Sequence, residues 1–279
     1  MVWVSGGLGG SLQRSDDGGV TWSTSLGHPD SGSVAEADFH PSFPNTLLAA
    51  ADVGTRADVG GVHRTTDGGA TWQLSSGGLT AAAVRSVALG PQPTPVIYAG
   101  MASGGMLYST DGGSSWLHAS RAGDPGNHVF TSEVTAIVIH PGDADRLDLA
   151  SGGVWTSTDG GATFALTLDV PFANALTATA GGTVFVATTF EGIYRGSGSG
   201  PWTQVNSGLP TFGGSPCPVL DIAVDPSSPG TVWAGTEYGG GIIRTTDSGA
   251  SWEVMGLESE HSVGAVAVHV REVRVSERE

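Results

Sequence analysis

Thr65-Thr66-Asp67-Gly68-Gly69-Ala70-Thr71-Trp72 is a stretch that returns, with small changes, roughly every 40 to 50 residues. It recurs at 15–22, 109–116, 157–164 and 245–252, each time as Ser or Thr, any residue, Asp, any residue, Gly, any residue, Ser or Thr, and then Trp or Phe. A sixth copy at 197–202 has lost its Asp. A short carboxylate at the head of a tight turn accepts N–H bonds from the residues that follow, and the Gly two positions on takes φ > 0 without steric cost. The aromatic then starts the return strand with its ring against the sheet. The octet reads as a hairpin clasp, and Asp67, Asp111 and Asp159 as structural residues.

Two strands precede each octet and one follows it, so each repeat is a four-stranded unit, strands a to d, with the octet on the c-to-d turn. The innermost strand a is expected at 34–39, 84–89, 134–139, 175–180, 219–224 and 263–268, strand b at 1–4, 47–51, 96–100, 147–151, 184–188 and 232–235, and strand c at 12–15, 62–65, 106–109, 154–157, 193–195 and 242–245. Most strands a end in a polar residue and Pro, which places His40 and His140 in turns rather than in a site. The chain thus begins on a strand b and ends on a lone strand a. A lone strand leaves an apolar face and an unpaired edge, and joining it to the N-terminal b, c and d strands removes both. The reading is all-β: one domain over 1–279, a six-bladed β-propeller of four-stranded blades, its ring closed by the C-terminal strand a joining the N-terminal strands. The 45 Gly and 15 Pro, and the lack of helical periodicity, agree.

The five octets are identified as the Asp-box (BNR) motif, and the whole chain resembles the Asp-box propellers: sialidases, xyloglucanases, sortilin-like domains and photosystem II assembly-factor propellers. In those families the box lies on the face away from the site. The resemblance implies a site on the opposite rim, formed by the b-to-c and d-to-a loops, where a concave, multi-loop mouth suits a ligand.

Two loops exceed the economy of the repeat. In 51–61, the run Arg56-x-Asp58-x-Gly60-Gly61-x-x-Arg64 resembles the strand-and-loop signature of the two-propeller xyloglucanases, which implies that Asp58 is a catalytic carboxylate. The other, 118–133, carries Arg121, Asp124, His128, Phe130 and Glu133. Glu191, Glu237 and Tyr238 stand at equivalent b-to-c positions of the last two complete repeats. Glycoside hydrolysis needs two carboxylates roughly 5 to 9 Å apart. Asp58 with Asp52, Glu191 or Glu237 supplies such a pair, and Arg56, Arg121, His128, Phe130 and Tyr238 are the expected substrate-binding residues. The rival reading is a non-catalytic propeller that presents its rim to a protein. A sialidase would need three converging arginines, for which Arg56, Arg85 and Arg121 are the candidates, but the Arg-Ile-Pro start of that pattern is absent. Arg14, Arg64, Arg195 and Arg244 share one repeat position beside the box and read as structural.

The net charge is −16 and all 11 basic residues are arginine. Nucleic acid and anionic membrane offer nothing to offset that field. Cys217, the single cysteine, excludes an internal disulfide and a cysteine metal cluster and reads as structural. No metal or cofactor is expected, and a glycan or a protein at the channel mouth is the expected partner of a monomer. The first residues read as strand rather than signal peptide, which suggests a cytoplasmic protein or a trimmed exported one.

Overall fold

In the computed structural model, the described residues are 2–4, 12–15, 21–26, 34–39, 45–51, 60–75, 83–90, 96–118, 132–256 and 263. All regular structure among them is β. Sheet I holds β1 (Val2–Val4), β2 (Leu12–Ser15) and β3 (Ser23–Leu26); sheet II holds β4 (Val34–Phe39), β5 (Leu47–Ala51), β6 (Gly61–Thr65) and β7 (Gln73–Leu74). Sheet III follows with β8 (Val84–Leu89), β9 (Ile97–Met101), β10 (Met106–Ser109) and β11 (Leu117–His118). Sheet IV contains β12 (Ala136–His140), β13 (Asp143–Ala150), β14 (Val154–Ser157) and β15 (Ala165–Leu168), and sheet V contains β16 (Ala173–Ala178), β17 (Val184–Thr188), β18 (Ile193–Gly196) and β19 (Thr203–Gln204). A small hairpin, β20 (Thr211–Phe212) and β21 (Ser215–Pro216), precedes sheet VI, made of β22 (Val219–Asp225), β23 (Ser228–Thr236), β24 (Ile242–Thr245) and β25 (Glu253–Gly256). Each sheet is an antiparallel meander in chain order. The expected closing strand at 263–268 lies outside the described residues except for Val263.

Hydrophobic burial runs from sheet to sheet. Leu12, Leu26, Val34 and Leu47 join I to II, and Leu48, Val62, Val87 and Trp116 join II to III. Tyr98, Met106, Leu147 and Phe164 fill the III–IV seam, Val154, Ala173 and Val186 the IV–V seam, and Phe185, Ile193, Val232 and Trp252 the V–VI seam. No sheet has a core of its own, so each is stabilised by its neighbours, as in a repeat array.

The octets at 65–72, 109–116, 157–164 and 245–252 form the expected clasps. In the first of these, Thr65 Oγ1 donates to Asp67 Oδ1 at 2.7 Å and accepts the Gly69 N–H at 2.9 Å, while Asp67 accepts the Thr71 N–H at 2.9 Å and its hydroxyl at 2.6 Å. Ser109 with Asp111, Ser157 with Asp159 and Thr245 with Asp247 repeat the pattern. The Asp carboxylates are held low chiefly by the hydroxyl of the octet's seventh residue, Asp111 and Asp247 at about 2 and Asp67 and Asp159 in the same direction. A folded-state pKa below the unfolded one contributes stability above the unfolded value, and that contribution is lost as pH falls from about 4 towards about 2. Asp67→Ala is therefore expected to lower the melting temperature near neutrality and to flatten its fall with acid. Thr65→Val, which orphans the buried Gly69 N–H, is expected to cost about 1–3 kcal/mol. Melting curves from pH 5 to pH 2 that superimpose for Asp67→Ala and wild type would remove the clasp from the energetics.

The clasps are also where neighbouring sheets lock together. The carbonyl of the octet's fourth residue accepts a bond from the preceding sheet every time both groups are described: Arg14 Nη1 to Gly68 O at 2.6 Å, Arg64 Nη1 to Gly112 O at 3.4 Å, Tyr98 Oη to Gly160 O at 2.9 Å, Thr156 Oγ1 to Gly198 O at 2.6 Å and Arg195 Nη1 to Ser248 O at 2.7 Å. That residue is left-handed in each case, φ being 60° even at Ser248. The octet aromatics reach back as well, with Trp116 Nε1 donating to Ser75 O at 2.8 Å and Trp252 Nε1 to Val205 O at 2.7 Å. Arg14, Arg64 and Arg195, beside the box, are thus structural, as expected.

His140 departs from its expected place in a turn. It is the last residue of β12, buried, with Nε2 2.6 Å from Asp148 Oδ2. Asp148 occupies the strand-b position filled by Leu48, Tyr98, Phe185 and Trp233 in other sheets, and it also accepts the Thr156 hydroxyl. The polar cluster stands beneath the sixth octet, the one that lacks its Asp, where a carboxylate replaces the usual apolar support.

Along the inner strands, side chains cap the amide edge of the next sheet. Glu36 Oε2 accepts the Val87 N–H at 3.0 Å and Asp38 Oδ2 the Leu89 N–H at 2.9 Å. Burial, then Asp38, and more weakly Asp221 of sheet VI push the Glu36 carboxyl well above the usual carboxylate range. A raised folded-state pKa makes the ionised form a liability above the unfolded value. Glu36→Gln, which keeps an acceptor for Val87, is expected to raise the melting temperature at neutral pH, with the gain disappearing as pH falls to about 4; a gain independent of pH would point to packing instead.

Candidate functional site

At the ends of sheets V and VI opposite the clasps, the b-to-c turn and the segment entering the first strand lie side by side, because Ala173 pairs with Thr188 in sheet V and Val219 with Thr236 in sheet VI. The Asn174 amide spans the seam, donating to Val219 O at 2.8 Å, which puts these ends of V and VI on one edge. In both, a buried threonine fixes the turn. Thr188 Oγ1 donates to Gly192 O and accepts the Glu191 N–H, and Thr236 Oγ1 donates to Gly241 O, the two donor bonds each 2.8 Å long.

These braced ends project aromatic rings into solvent. Phe172 and Phe190 meet edge to face with centroids 5.3 Å apart, and Phe212 and Tyr238 stack at 4.7 Å with planes 16° apart. All four are more than half exposed. Phe172 (φ 59°) and Tyr238 (φ 51°) are left-handed, a backbone state costing of order 1–2 kcal/mol for a side-chain-bearing residue. Each exposed ring pair thus contains one residue in a strained backbone state.

Of the expected site residues, the structure describes Glu191, Glu237 and Tyr238 and brings all three to this edge. Asp52, Asp58, Arg56, Arg121, His128 and Phe130 lie outside the described residues. The Glu191 carboxylate accepts the Tyr194 hydroxyl, and Tyr194, also hydrogen-bonded by Gln204, is pushed up to about 12, by burial first and then by Glu191. That acid is already engaged. Glu237 is half-buried; its N–H donates to Pro218 O at 2.9 Å, and no described residue bonds its carboxylate. Arg85, a candidate for a carboxylate-binding cluster, pairs with Glu133 at 2.8 Å. Cys217 is buried, and burial pushes its thiol up, as suits a structural residue. Among the described residues no three His, Cys, Asp or Glu side chains gather as a metal site.

Sequence reasoning missed Phe172, Phe190 and Phe212. Each stands beside Pro, Gly or Thr where no alternation would bury it, and that was the available signal. The hairpin carrying Phe212 was missed too, although Gly213-Gly214 is a two-residue turn signal, and both residues have positive φ.

The BNR/Asp-box repeat model matches residues 13–24. No curated protein matches the chain. Among solved structures, the GH74 enzyme of Niastella koreensis superposes with a TM-score of 0.66 at 18% identity, over 88% of this chain and 42% of that one. The GH74 xyloglucanase from Xanthomonas campestris gives 0.65 at 19% identity over 88% and 42%, and YCF48 bound to D1 peptide gives 0.61 at 15% identity over 92% and 78%. The chain spans less than half the length of these GH74 proteins. Its fold is that of the Asp-box β-propellers to which they and YCF48 belong.

Proposed function

We propose that the chain is a single-domain, closed six-bladed propeller that binds glycans on its aromatic rim, with Asp58 and Glu237 as the carboxylate pair of a glycoside hydrolase. Closure is supported by three observations. Val263 N donates to Thr236 O at 3.0 Å, repeating the contact of Val134 N with Met101 O between sheets III and IV. A Cβ at Gly235 would strike Val263 just as one at Gly100 would strike Val134. Asp221 of sheet VI lies within electrostatic reach of Glu36 in sheet II. Arg244 stands at the same repeat position as Arg14, Arg64 and Arg195.

The observation that carries the function is the pair of exposed aromatic platforms beside the Glu191 and Glu237 turns, since flat rings stack on the apolar faces of sugars while nearby carboxylates take their hydroxyls or act as acid and base. Glu191 is committed to Tyr194, so Glu237 is the better partner for Asp58. The second reading is a non-catalytic propeller with a protein partner. It is favoured by the engaged Glu191 and by the likeness to YCF48, a peptide-bound propeller of similar size. A glycan array followed by chromogenic glycosides tests the choice. Glycan binding with turnover supports the hydrolase, glycan binding without turnover leaves a lectin-like module, and no glycan binding sinks both in favour of the protein partner.

A further inference from the structure

Building on the glycan reading, we propose that the rim of sheets V and VI selects glycans bearing free amino groups over neutral or anionic ones. The rim joins two features that an ammonium group uses together. Four exposed rings, Phe172, Phe190, Phe212 and Tyr238, offer π faces, which attract cations as well as stacking on sugars. Glu191 and Glu237 stand at equivalent turns beside them.

No described arginine is left over to oppose this. Arg14, Arg64 and Arg195 are spent on clasp carbonyls on the opposite face, Arg85 is paired with Glu133, and Arg244 lies over Trp233 with its guanidinium carbon 5.4 Å from the ring. Arg146 sits in the IV–V seam, close to Gly182 and Gly198. The loops that strand counting assigns to the rim hold ten acidic residues against Arg56 and Arg121, within a chain of net charge −16. An acidic polysaccharide is repelled by this surface, and a neutral one gains only the stacking. An amino sugar carries its ammonium on the ring that stacks, so a single unit meets a π face and a carboxylate at once.

The test is calorimetric titration at about pH 6, where such amines are charged, with soluble oligomers of glucosamine, N-acetylglucosamine and galacturonic acid, and with a Lys/Arg-rich peptide as the fourth ligand. The glucosamine oligomer is expected to bind at least roughly ten-fold more tightly than its acetylated form, with the advantage shrinking as salt rises. The double variant Glu191→Gln/Glu237→Gln should abolish that advantage while retaining stacking, and Tyr238→Ala should weaken both sugars. Circular dichroism melting shows whether each variant is folded. Equal affinity for the amine and acetyl forms, or a preference that survives the double variant, overturns the charge inference and leaves the glycan reading standing. Failure of every oligosaccharide to bind overturns both, and binding of the peptide alone moves the rim to a protein partner.

Discussion

A chain ending at residue 261 is expected to lose most of its stability, melting far below the full-length protein or failing to accumulate folded. The segment removed carries Val263, Val266 and Val268 with Ala265 and Ala267 between them. A fully buried valine contributes roughly 1.5–3 kcal/mol, so a strand of this composition, if it is buried as expected, contributes an amount comparable with the whole net stability of a domain. The loss would be compounded at sheet I, which has three strands where sheets II to VI have four. If the ring closes as proposed, the truncation leaves β1 with an open edge and uncovers the faces of sheets VI and I that the strand would cover. Because a deletion can fail for unrelated reasons, a permuted chain gives the complementary measurement. Residues 262–270 placed directly before residue 2, with the chain ending at 261, make every sheet contiguous in sequence. That permutant is expected to melt at or above the native temperature. A truncation that melts like the full chain, or a permutant that does not fold, would show that the ring closes otherwise or not at all.

The part of this architecture legible in the sequence is the part enforced by the repeat. Asp67, Gly69 and Trp72 each have one conformational job, so their spacing alone located the clasps and, through them, strands such as β5, β10 and β14. Boundaries slipped where polar residues extend a ladder beyond its apolar core. β13 begins at Asp143 and β23 at Ser228, four residues before the first apolar positions that mark them, because exposed polar residues continue the pairing past a bulge. His140 and Asp148 could not be foreseen from periodicity, since a carboxylate at a position otherwise apolar is intelligible only beside its histidine and the box above it. The rim divides the same way. Glu191, Glu237 and Tyr238 lie in b-to-c turns and were found there, whereas Phe190, two residues after Thr188 as Tyr238 is two after Thr236, was passed over in the same kind of turn; Phe172 and Phe212 belong to the segments before the inner strands, where the repeat fixes no residue type.

If the chain is a glycosidase, Asp58→Asn is expected to reduce turnover by a factor of roughly a hundred or more, since it keeps the side chain's size while removing the group that ionises or delivers a proton. Asp58 is chosen for its loop between β5 and β6 and for the run from Arg56 to Arg64, whose last residue is the clasp-binding arginine. Glu237→Gln is expected to have an effect of the same size, because the two carboxylates act on one bond. The double variant should then be little worse than either single one, as happens when residues work as a unit. Melting temperature separates this from misfolding. The pH profile supplies a readout that scaffolding roles do not share. With a base and an acid both present the rate follows a bell, and removing one carboxylate deletes one limb. Full turnover in Asp58→Asn would clear that residue. Loss of activity in Asp58→Asn with normal activity in Glu237→Gln would assign the second carboxylate to Asp52 or to Glu191, whose bond to Tyr194 would then have to break when substrate binds.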